Sequence, residues 1–318
     1  MHLMQRLYEE SLPLAAATTV ASLTVGLGYT AVATGDGGLG LSYTWVEDKE
    51  RRSYGNGYHD VEGEGAVVLL ERLLSDDPFQ RSIGLATVNA LHHHRVRGLA
   101  DDTGSPLSLS LRLADIGAGT HVSMVGYFPP LVRALPELGV ELDVIDSSLG
   151  LGDPLEFRAR LGSWTEVLIM TATTLLNESA EELLLATGPG VQSIMMGPST
   201  PLVPAAFAHL PLTALAGIVP CDTGAVEKAV RHGSATPGMK PYVRKVYCVC
   251  PRGAAEPGRD AAETGRSARR LALPSTPCQG VRAQETVPSV PYPGRCAPNV
   301  NRSRPPATTT SSSGAMHG

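Results

Sequence analysis

Residues of types that bind ligands lie in four short segments, each of which follows an apolar, strand-like run. The segments supply hydroxyl groups, a carboxylate, a carboxamide and backbone amides, from Gly126, Tyr127, Asp146, Thr171, Thr173, Asn177, Gly197, Ser199 and Thr200. Ligands of open parallel sheets bind beyond the carboxyl ends of the strands. We therefore expect these residues to form one site for a polar or anionic small molecule, or for an oxygen-ligated divalent metal ion. Asp146 and Asn177 are the predicted metal ligands.

The same residue types are also common at helix N-termini, where their side chains accept hydrogen bonds from backbone amides. Capping explains any one of these Thr, Ser and Asn residues about as well as ligand binding does. It explains the whole set less well, because four separate segments would all have to be caps by chance.

The segment around Gly126 predicts a βαβ unit. An apolar run over residues 122–125 breaks at this glycine, and Pro129 and Pro130 then suit the first turn of a helix. The next apolar run ends at Asp146, about 20 residues beyond the loop glycine, where dinucleotide-binding folds hold a ribose-binding carboxylate. The spaced glycines that let a pyrophosphate approach are missing. The pattern predicts a Rossmann-like fold that does not bind NAD.

Alternation of strands and helices from residue 121 onward predicts a parallel sheet. The expected strands cover residues 166–170, 191–196, 212–218 and 243–247, and the expected helices cover residues 131–138, the segment from 171 to 186, and 223–231. The first hundred residues predict a small α+β domain. Its expected elements are a helix over 4–16, strands over 20–32 and 39–45 around a Gly35–Gly38 turn, a helix over 66–74, and a helix introduced by Asp76, Asp77 and Pro78.

Composition limits the function classes. The chain has 318 residues, 42% of them hydrophobic and 18% charged, which is enough to bury the cores of two domains. A net charge of −5 argues against a nucleic-acid-binding surface. Only Cys221 precedes residue 248 among the cysteines, so neither a disulfide framework nor a thiolate metal site is expected, and a reducing cytoplasm fits best.

Residues 13–35 carry no charge, which raises the question of a membrane segment. A signal peptide carries positive charge just before its apolar region, but this chain has Glu9 and Glu10 there. The Thr and Gly residues within the uncharged stretch favour strands. We expect no membrane association. Beyond about Cys250 the chain is rich in Pro, Arg, Ser and Thr, and this composition predicts a disordered tail.

His92, His93 and His94 suggest a metal cluster at first sight. Adjacent residues of a helix point about 100° apart, so the three cannot all ligate one ion from a regular helix. A solvated helix end is therefore the favoured interpretation.

Several motifs together resemble a known family, the "putative heavy-metal chelation" proteins, which combine an enolase-N-terminal-like domain with a Rossmann-like domain. The motifs that carry the resemblance are Val25-Gly-Leu-Gly-Tyr-Thr, Gly37-Gly-Leu-Gly-Leu, Leu85-Ala-Thr-Val-Asn-Ala-Leu, Met124-Val-Gly-Tyr-Phe-Pro-Pro-Leu, Thr171-x-Thr-Thr-Leu-Leu-Asn and Gly197-Pro-Ser-Thr-Pro-Leu. The resemblance covers about residues 5–247. It implies an enolase-N-terminal-like domain over 1–105, a Rossmann-like domain over 106–247 and an unrelated tail over 248–318.

The resemblance also implies a ligand site between the two domains and a role in handling a metal or a metal chelate. That is the leading functional hypothesis, with a divalent metal ion as the expected ligand. An enzyme acting on a nucleotide-like or other small anionic substrate at the Rossmann-like loops is the alternative, and a scaffold without a small ligand is a third. A homodimer is kept as an alternative assembly. No catalytic residue is assigned, because no nucleophile with a paired base is evident.

Overall fold

The structure is a computed structural model that describes residues 2–46, 60–104 and 107–250. These residues all belong to one compact unit. Most of the polar loop predicted over residues 47–65 lies outside the described residues, and so does the tail beyond residue 250, for which disorder is predicted.

The first half of the chain contains a three-stranded antiparallel sheet and several helices. Its elements are α1 (Leu3–Ala15), β1 (Val20–Val25), β2 (Tyr29–Thr34), β3 (Leu39–Tyr43), α2 (Val67–Leu70) with a 3₁₀ turn (Glu71–Leu74), α3 (Pro78–Leu91), α4 (His93–Val96) and α5 (Leu109–Arg112). The strands lie in the order β1-β2-β3. The predicted hairpin at Gly35–Gly38 is confirmed, since β2 pairs with β3 across it.

The strand predicted over residues 20–32 is two strands, because the chain turns between Val25 and Tyr29. Gly26 lies so close to α9 (Thr223–Arg231) that an added Cβ would be 2.3 Å from the carbonyl oxygen of Val230. This turn therefore depends on a contact with a helix about 200 residues later in the chain, which local periodicity does not report.

Helix α3 packs across the small sheet. The Asp77 side chain accepts a hydrogen bond from the amide of Phe79, 2.9 Å away, and Pro78 occupies the first turn, as the sequence predicts. On the inner face of the helix, Ala86 and Ala90 lie against Gly40 of β3. Small residues on both sides let the helix backbone approach the strand closely.

The second half contains a mostly parallel six-stranded sheet. Its elements are β4 (His121–Val125), α6 (Pro129–Glu137), β5 (Glu141–Ile145), α7 (Pro154–Ser163), β6 (Val167–Thr171), a 3₁₀ turn (Ala172–Leu175), α8 (Ser179–Leu185), β7 (Gln192–Met196), a 3₁₀ turn (Pro204–Phe207), β8 (Ala214–Pro220), α9, α10 (Thr236–Met239), a 3₁₀ turn (Lys240–Tyr242) and β9 (Val243–Val249). The strand order is β5-β4-β6-β7-β8-β9, with β9 antiparallel to β8. The predicted α/β class, a mostly parallel sheet preceded by a smaller antiparallel one, is confirmed.

Two elements of the second half differ from the prediction. Helix α7 is missing from it, because this helix buries only Phe157 and Leu161 and so has weak apolar periodicity. The helix predicted from Thr171 to Ala186 is interrupted at Glu178, whose φ of 59° is left-handed. It becomes a 3₁₀ turn followed by α8.

One hydrophobic core joins the two halves. It includes Leu7 of α1, Leu85 of α3 and Phe207, all fully buried, together with Leu215 of the large sheet. Arg81 of α3 is also buried, and its Nε donates to the carbonyl oxygen of Leu176, 2.6 Å away. Within the described part of the chain, no helix has the length and apolar character needed to cross a membrane.

Candidate functional site

The Asp146 carboxylate is used within its own part of the fold. Its Oδ2 accepts from the amide of Tyr127 at 2.8 Å, and its Oδ1 accepts from the amide and hydroxyl of Ser148 at 2.9 and 2.6 Å and from the amide of Leu149 at 3.1 Å. Burial alone would raise the pKa of Asp146, but these hydrogen bonds outweigh burial and the pKa lies below its usual value. The ionised side chain closes its own turn and holds the loop after β4.

Gly126 and Thr171 meet at the point where the strand order reverses. Sheet neighbours of β4 are β5 on one side and β6 on the other, so a ligand crevice is expected beyond the ends of β4 and β6. A Cβ on Gly126, where φ is 87°, would lie 2.8 Å from Cγ2 of Thr171. The Thr171 hydroxyl lies 3.1 Å from that of Thr173 and accepts a hydrogen bond from the amide of Thr173. The structure therefore places Gly126, Thr171 and Thr173, all predicted site residues, beside one another, and they contact each other.

Asn177 lies at the start of α8. Its Oδ1 accepts from the amide and the hydroxyl of Ser179, at 3.2 and 2.8 Å, and the residue is exposed. The side chain acts on the helix that follows it, in the way of an N-terminal cap.

Asn177→Ala should lower the free energy of unfolding by about 1 kcal/mol, because the start of α8 loses its side-chain acceptor. Urea unfolding of the two proteins measures the change. A loss well above that figure would contradict a role limited to capping.

The loop after β7 reaches the small sheet. Ser199 Oγ accepts from the amide of Tyr43 at 2.8 Å, and the Ser199 carbonyl oxygen accepts from Nδ2 of Asn89 at 3.2 Å. Asn89 also donates to the carbonyl oxygen of Leu41 at 2.8 Å. Gly197, with a φ of 125°, begins this loop. The predicted site residues of this segment therefore lie where the two sheets meet.

A cavity of about 30 Å³ lies beside this junction. Its wall comes from the β2–β3 hairpin, the end of α3 and strand β8, and includes Leu41, Asn89, His92, His93 and Thr200. Of the residues predicted from the sequence, Thr200 lines this cavity, whereas Asp146 and Asn177 do not.

The histidines at the end of α3 differ from the prediction of a solvated helix end. His92 and His93 are buried, and only His94 is exposed. Helix α3 ends at Leu91, and His92, with φ −87° and ψ 10°, redirects the chain before His93 begins α4. The 100° spacing of a continuous helix therefore does not apply, and the rings of His93 and His94 lie 3.7 Å apart.

His93 and His94 both face Asp36 in the turn of the β2–β3 hairpin. Nδ1 of His93 is 4.0 Å and Nε2 of His94 is 3.9 Å from Oδ2 of Asp36. One ligand atom from each of the three residues lies within 4.8 Å of the others. Among the described residues, this is the group of three or more His, Cys, Asp or Glu side chains that comes within metal-binding distance.

Two family profiles match the chain, one over residues 8–92 and one over residues 110–249, and both carry the description "Putative heavy-metal chelation". The chain belongs to this family. The first range lies within the span of the resemblance identified from the motifs, about residues 5–247, and the second extends two residues beyond its end.

Solved structures from the same family have the same fold. A protein of unknown function from Pyrococcus horikoshii is 20% identical, aligns over 78% of this chain and 99% of its own, and gives a TM-score of 0.63. Another, from Desulfitobacterium hafniense, is 21% identical, aligns over 77% of this chain and 98% of its own, and gives a TM-score of 0.60. No curated protein matches.

The charge states of Asp36 and His93 are those that metal ligands need. Burial alone would raise the pKa of Asp36. The Thr34 hydroxyl and the nearby His93 lower it by more than burial raises it, so the pKa of Asp36 lies below its usual value. Burial lowers the pKa of His93, and it is the largest influence there. At neutral pH the carboxylate is ionised and the buried imidazole is neutral, so neither group has to give up an excess proton, as an imidazolium or a carboxylic acid would, before it can bind a cation.

Sequence reasoning missed this cluster for an identifiable reason. Asp36 belongs to a Gly-Asp-Gly-Gly turn, which by itself predicts only a hairpin, and His93 lies 57 positions later. Helix α3 ends at Leu91 with no glycine or proline directly after it, so the sequence does not show that the following histidines are free of helical spacing.

Proposed function

We propose that this protein binds a transition-metal ion, alone or as a metal chelate, through Asp36, His93 and His94. The observation that carries the proposal is the convergence of one carboxylate and two imidazoles within 4.8 Å at the edge of the cavity between the two sheets. Membership of a family described as "Putative heavy-metal chelation" supports the same class of ligand.

The donor set favours borderline metals. Imidazole suits zinc, copper, iron and nickel, whereas magnesium and calcium prefer oxygen ligands throughout. Three side-chain donors leave at least one position of a tetrahedral or octahedral ion open. A donor atom of a small chelator fits such a position, so the proposal includes a metal that arrives with a ligand of its own.

The ligand atoms of Asp36, His93 and His94 must move closer together before they can bind one ion. Ligand atoms around a tetrahedral zinc ion with bonds of 2.0–2.1 Å lie about 3.3 Å apart. The separations of 3.9 and 4.0 Å from Asp36 must therefore shorten by roughly 0.6–0.7 Å, and the separation of the two histidine nitrogens, which is at most 4.8 Å, must shorten by up to about 1.5 Å. The side chains of His94 and Asp36 are 69% and 39% exposed, so they can move, while His93 at 6% is held by packing. One fixed ligand and two adjustable ones fit an ion that binds reversibly.

Asp146 and Asn177, the ligands predicted from the sequence, are weaker candidates. The carboxylate of Asp146 already accepts four hydrogen bonds, and Oδ1 of Asn177 accepts two from Ser179. A metal ion would have to displace several hydrogen bonds at Asp146 or two at Asn177, whereas at His93 it would displace one, from Nδ1 to the carbonyl oxygen of Ala90. Both residues are therefore useful as comparison variants.

Isothermal titration calorimetry on the full chain, freed of metal with a chelator, tests the proposal. We expect Zn²⁺, Ni²⁺ or Co²⁺ to bind the wild-type protein at one site, and Mg²⁺ and adenine nucleotides to give no comparable heat. Asp36→Asn, His93→Gln and His94→Gln should each weaken binding at least about tenfold, because each removes one ligand. Visible absorption of bound Co²⁺ provides a second measurement of the same site.

Asp146→Asn and Asn177→Ala are the matched comparisons, since each alters an oxygen donor outside the cluster. They should leave the affinity for Zn²⁺ unchanged. If these two variants lose binding while the three cluster variants keep it, the metal site is the one predicted from the sequence. Binding of adenine nucleotides without binding of any metal would favour the enzyme alternative.

A further inference from the structure

His93 has two ring nitrogens in different surroundings. Nδ1 lies 2.9 Å from the carbonyl oxygen of Ala90, which can only accept, so Nδ1 carries the proton. Nε2 is buried and has no hydrogen-bond partner among the described residues. Nδ1 is also the nitrogen 4.0 Å from Asp36. If Nδ1 binds a metal, it must release its proton, and the neutral ring then carries a proton at Nε2.

Thr200, which lines the same cavity as His93, also carries a buried polar atom without a partner in the described part of the chain. The residue is 2% exposed, and its Oγ1 has no hydrogen-bond partner within the described ranges. Thr200 and His93 both line the cavity of about 30 Å³, and roughly 10–15 Å³ of such space is enough to hold a water molecule. Buried polar atoms without partners are uncommon, and a water molecule in this cavity would give both of these atoms a partner.

We propose that the Thr200 hydroxyl, acting through one water molecule in this cavity, is the positioning partner of His93 Nε2 and thereby allows Nδ1 to bind the metal. The inference rests on the proposed metal site. A hydroxyl group and a water can each donate or accept by rotating. They donate to Nε2 when the proton is on Nδ1, and they accept from it when the proton is on Nε2.

The proton count of the ring does not change. The proton on Nδ1 passes to solvent as the lone pair of Nδ1 forms its bond to the metal, and Nε2 takes up one proton from solvent. Metal-ligating histidines almost always donate their other N–H to an oxygen, and removal of that partner weakens metal binding by about 10–100-fold. The water held by Thr200 would supply this oxygen, and because Thr200 belongs to the loop after β7, it would couple the large sheet to a ligand set on the small one.

The test compares Thr200→Val, which has nearly the same shape without the hydroxyl, with Thr200→Ser, which keeps it. We expect Thr200→Val to weaken Zn²⁺ binding about 10–100-fold in calorimetry and Thr200→Ser to bind within about threefold of wild type. Ser193→Ala is the matched control, because Ser193 Oγ is also buried without a partner but does not line the cavity. It should bind as wild type does.

The tautomer of His93, measured by ¹⁵N NMR of the ring in the full chain, separates positioning from general loss of structure. Wild type and Thr200→Ser should change from Nδ1–H to Nε2–H when Zn²⁺ is added, and Thr200→Val should not complete the change at the same concentration. Equal affinity and the same tautomer change in Thr200→Val would overturn the role of Thr200, while loss of binding in His93→Gln would still support the metal site. If wild type itself binds no Zn²⁺, both proposals fail.

The melting temperature of the metal-free Thr200→Val protein provides a further test. A buried hydroxyl without any partner costs stability, so Thr200→Val would raise the melting temperature of the metal-free protein if Thr200 made no bond. We expect no increase, because the variant also removes a hydrogen bond to the water. A clear increase would count against the proposal.

Discussion

Gly40→Ala should destabilise the protein by at least about 3 kcal/mol and lower its melting temperature by roughly 6–12 °C. An added Cβ would lie 2.1 Å from the carbonyl oxygen of Ala86 and 2.2 Å from the amide nitrogen of Ala90. Both are backbone atoms of α3, so no side chain can rotate away. The whole helix must shift from β3, which separates the small sheet from its core.

Gly98→Ala is the matched control for that variant. Gly98 is exposed, and a Cβ there would meet nothing within 4 Å. Its free energy of unfolding should change by less than about 0.5 kcal/mol, which is usual at exposed positions. Thermal unfolding followed by circular dichroism measures both proteins. A melting temperature of Gly40→Ala within 2 °C or so of wild type would show that α3 lies further from β3 than we describe.

Strand and helix order could be predicted because each element carries its own period. In the second half, strands such as β4 and β6 are buried on both faces and therefore appear as continuous apolar runs. Turn residues separate them, and Pro129 and Thr223 mark helix starts. The missed features, the turn at Gly26 and the short apolar face of α7, depend on contacts between residues distant in sequence.

The candidate site could be predicted only in part, for a related reason. The sequence identified residues at the ends of parallel strands, and the structure places them there. Whether a polar side chain at such a position faces a ligand or its own backbone depends on one rotamer, and Asp146 and Asn177 bind local amides. Thr200 lines the cavity because its loop reaches across to β3. Neither the composition nor the spacing of residues indicates that this loop contacts β3.

Acid should destabilise the metal-free protein through His92. Its Nε2 lies 3.1 Å from Ser11 Oγ, and that hydroxyl donates to the carbonyl oxygen of Leu7 at 2.7 Å. Ser11 must therefore accept from Nε2–H, and this bond joins the end of α3 to α1. Burial, with a smaller effect from Arg95, lowers the pKa of His92 from 6.5 to about 4.

The direction of the pH effect follows from proton binding. Between pH 6.5 and 4 the unfolded chain binds a proton at this position and the folded protein does not, so stability is complete above pH 6.5 and is lost as the pH falls towards 4. The loss attributable to His92 should be about 2 kcal/mol at pH 5 and about 3 kcal/mol at pH 4. Urea unfolding with a chelator present, at several pH values, measures it.

His92→Gln isolates this contribution from other titrating groups. Glutamine keeps an N–H donor for Ser11 and cannot take up a proton, so the free energy of unfolding of the variant should fall by about 2 kcal/mol less than that of wild type between pH 7 and 5. His94→Gln makes the same chemical change at a side chain that is 69% exposed, and it should keep the wild-type pH dependence. If His92→Gln and wild type lose stability in parallel, the proton is taken up elsewhere. In that case, the prediction that the buried His92 ring stays neutral while it donates a hydrogen bond to Ser11 of α1 is wrong.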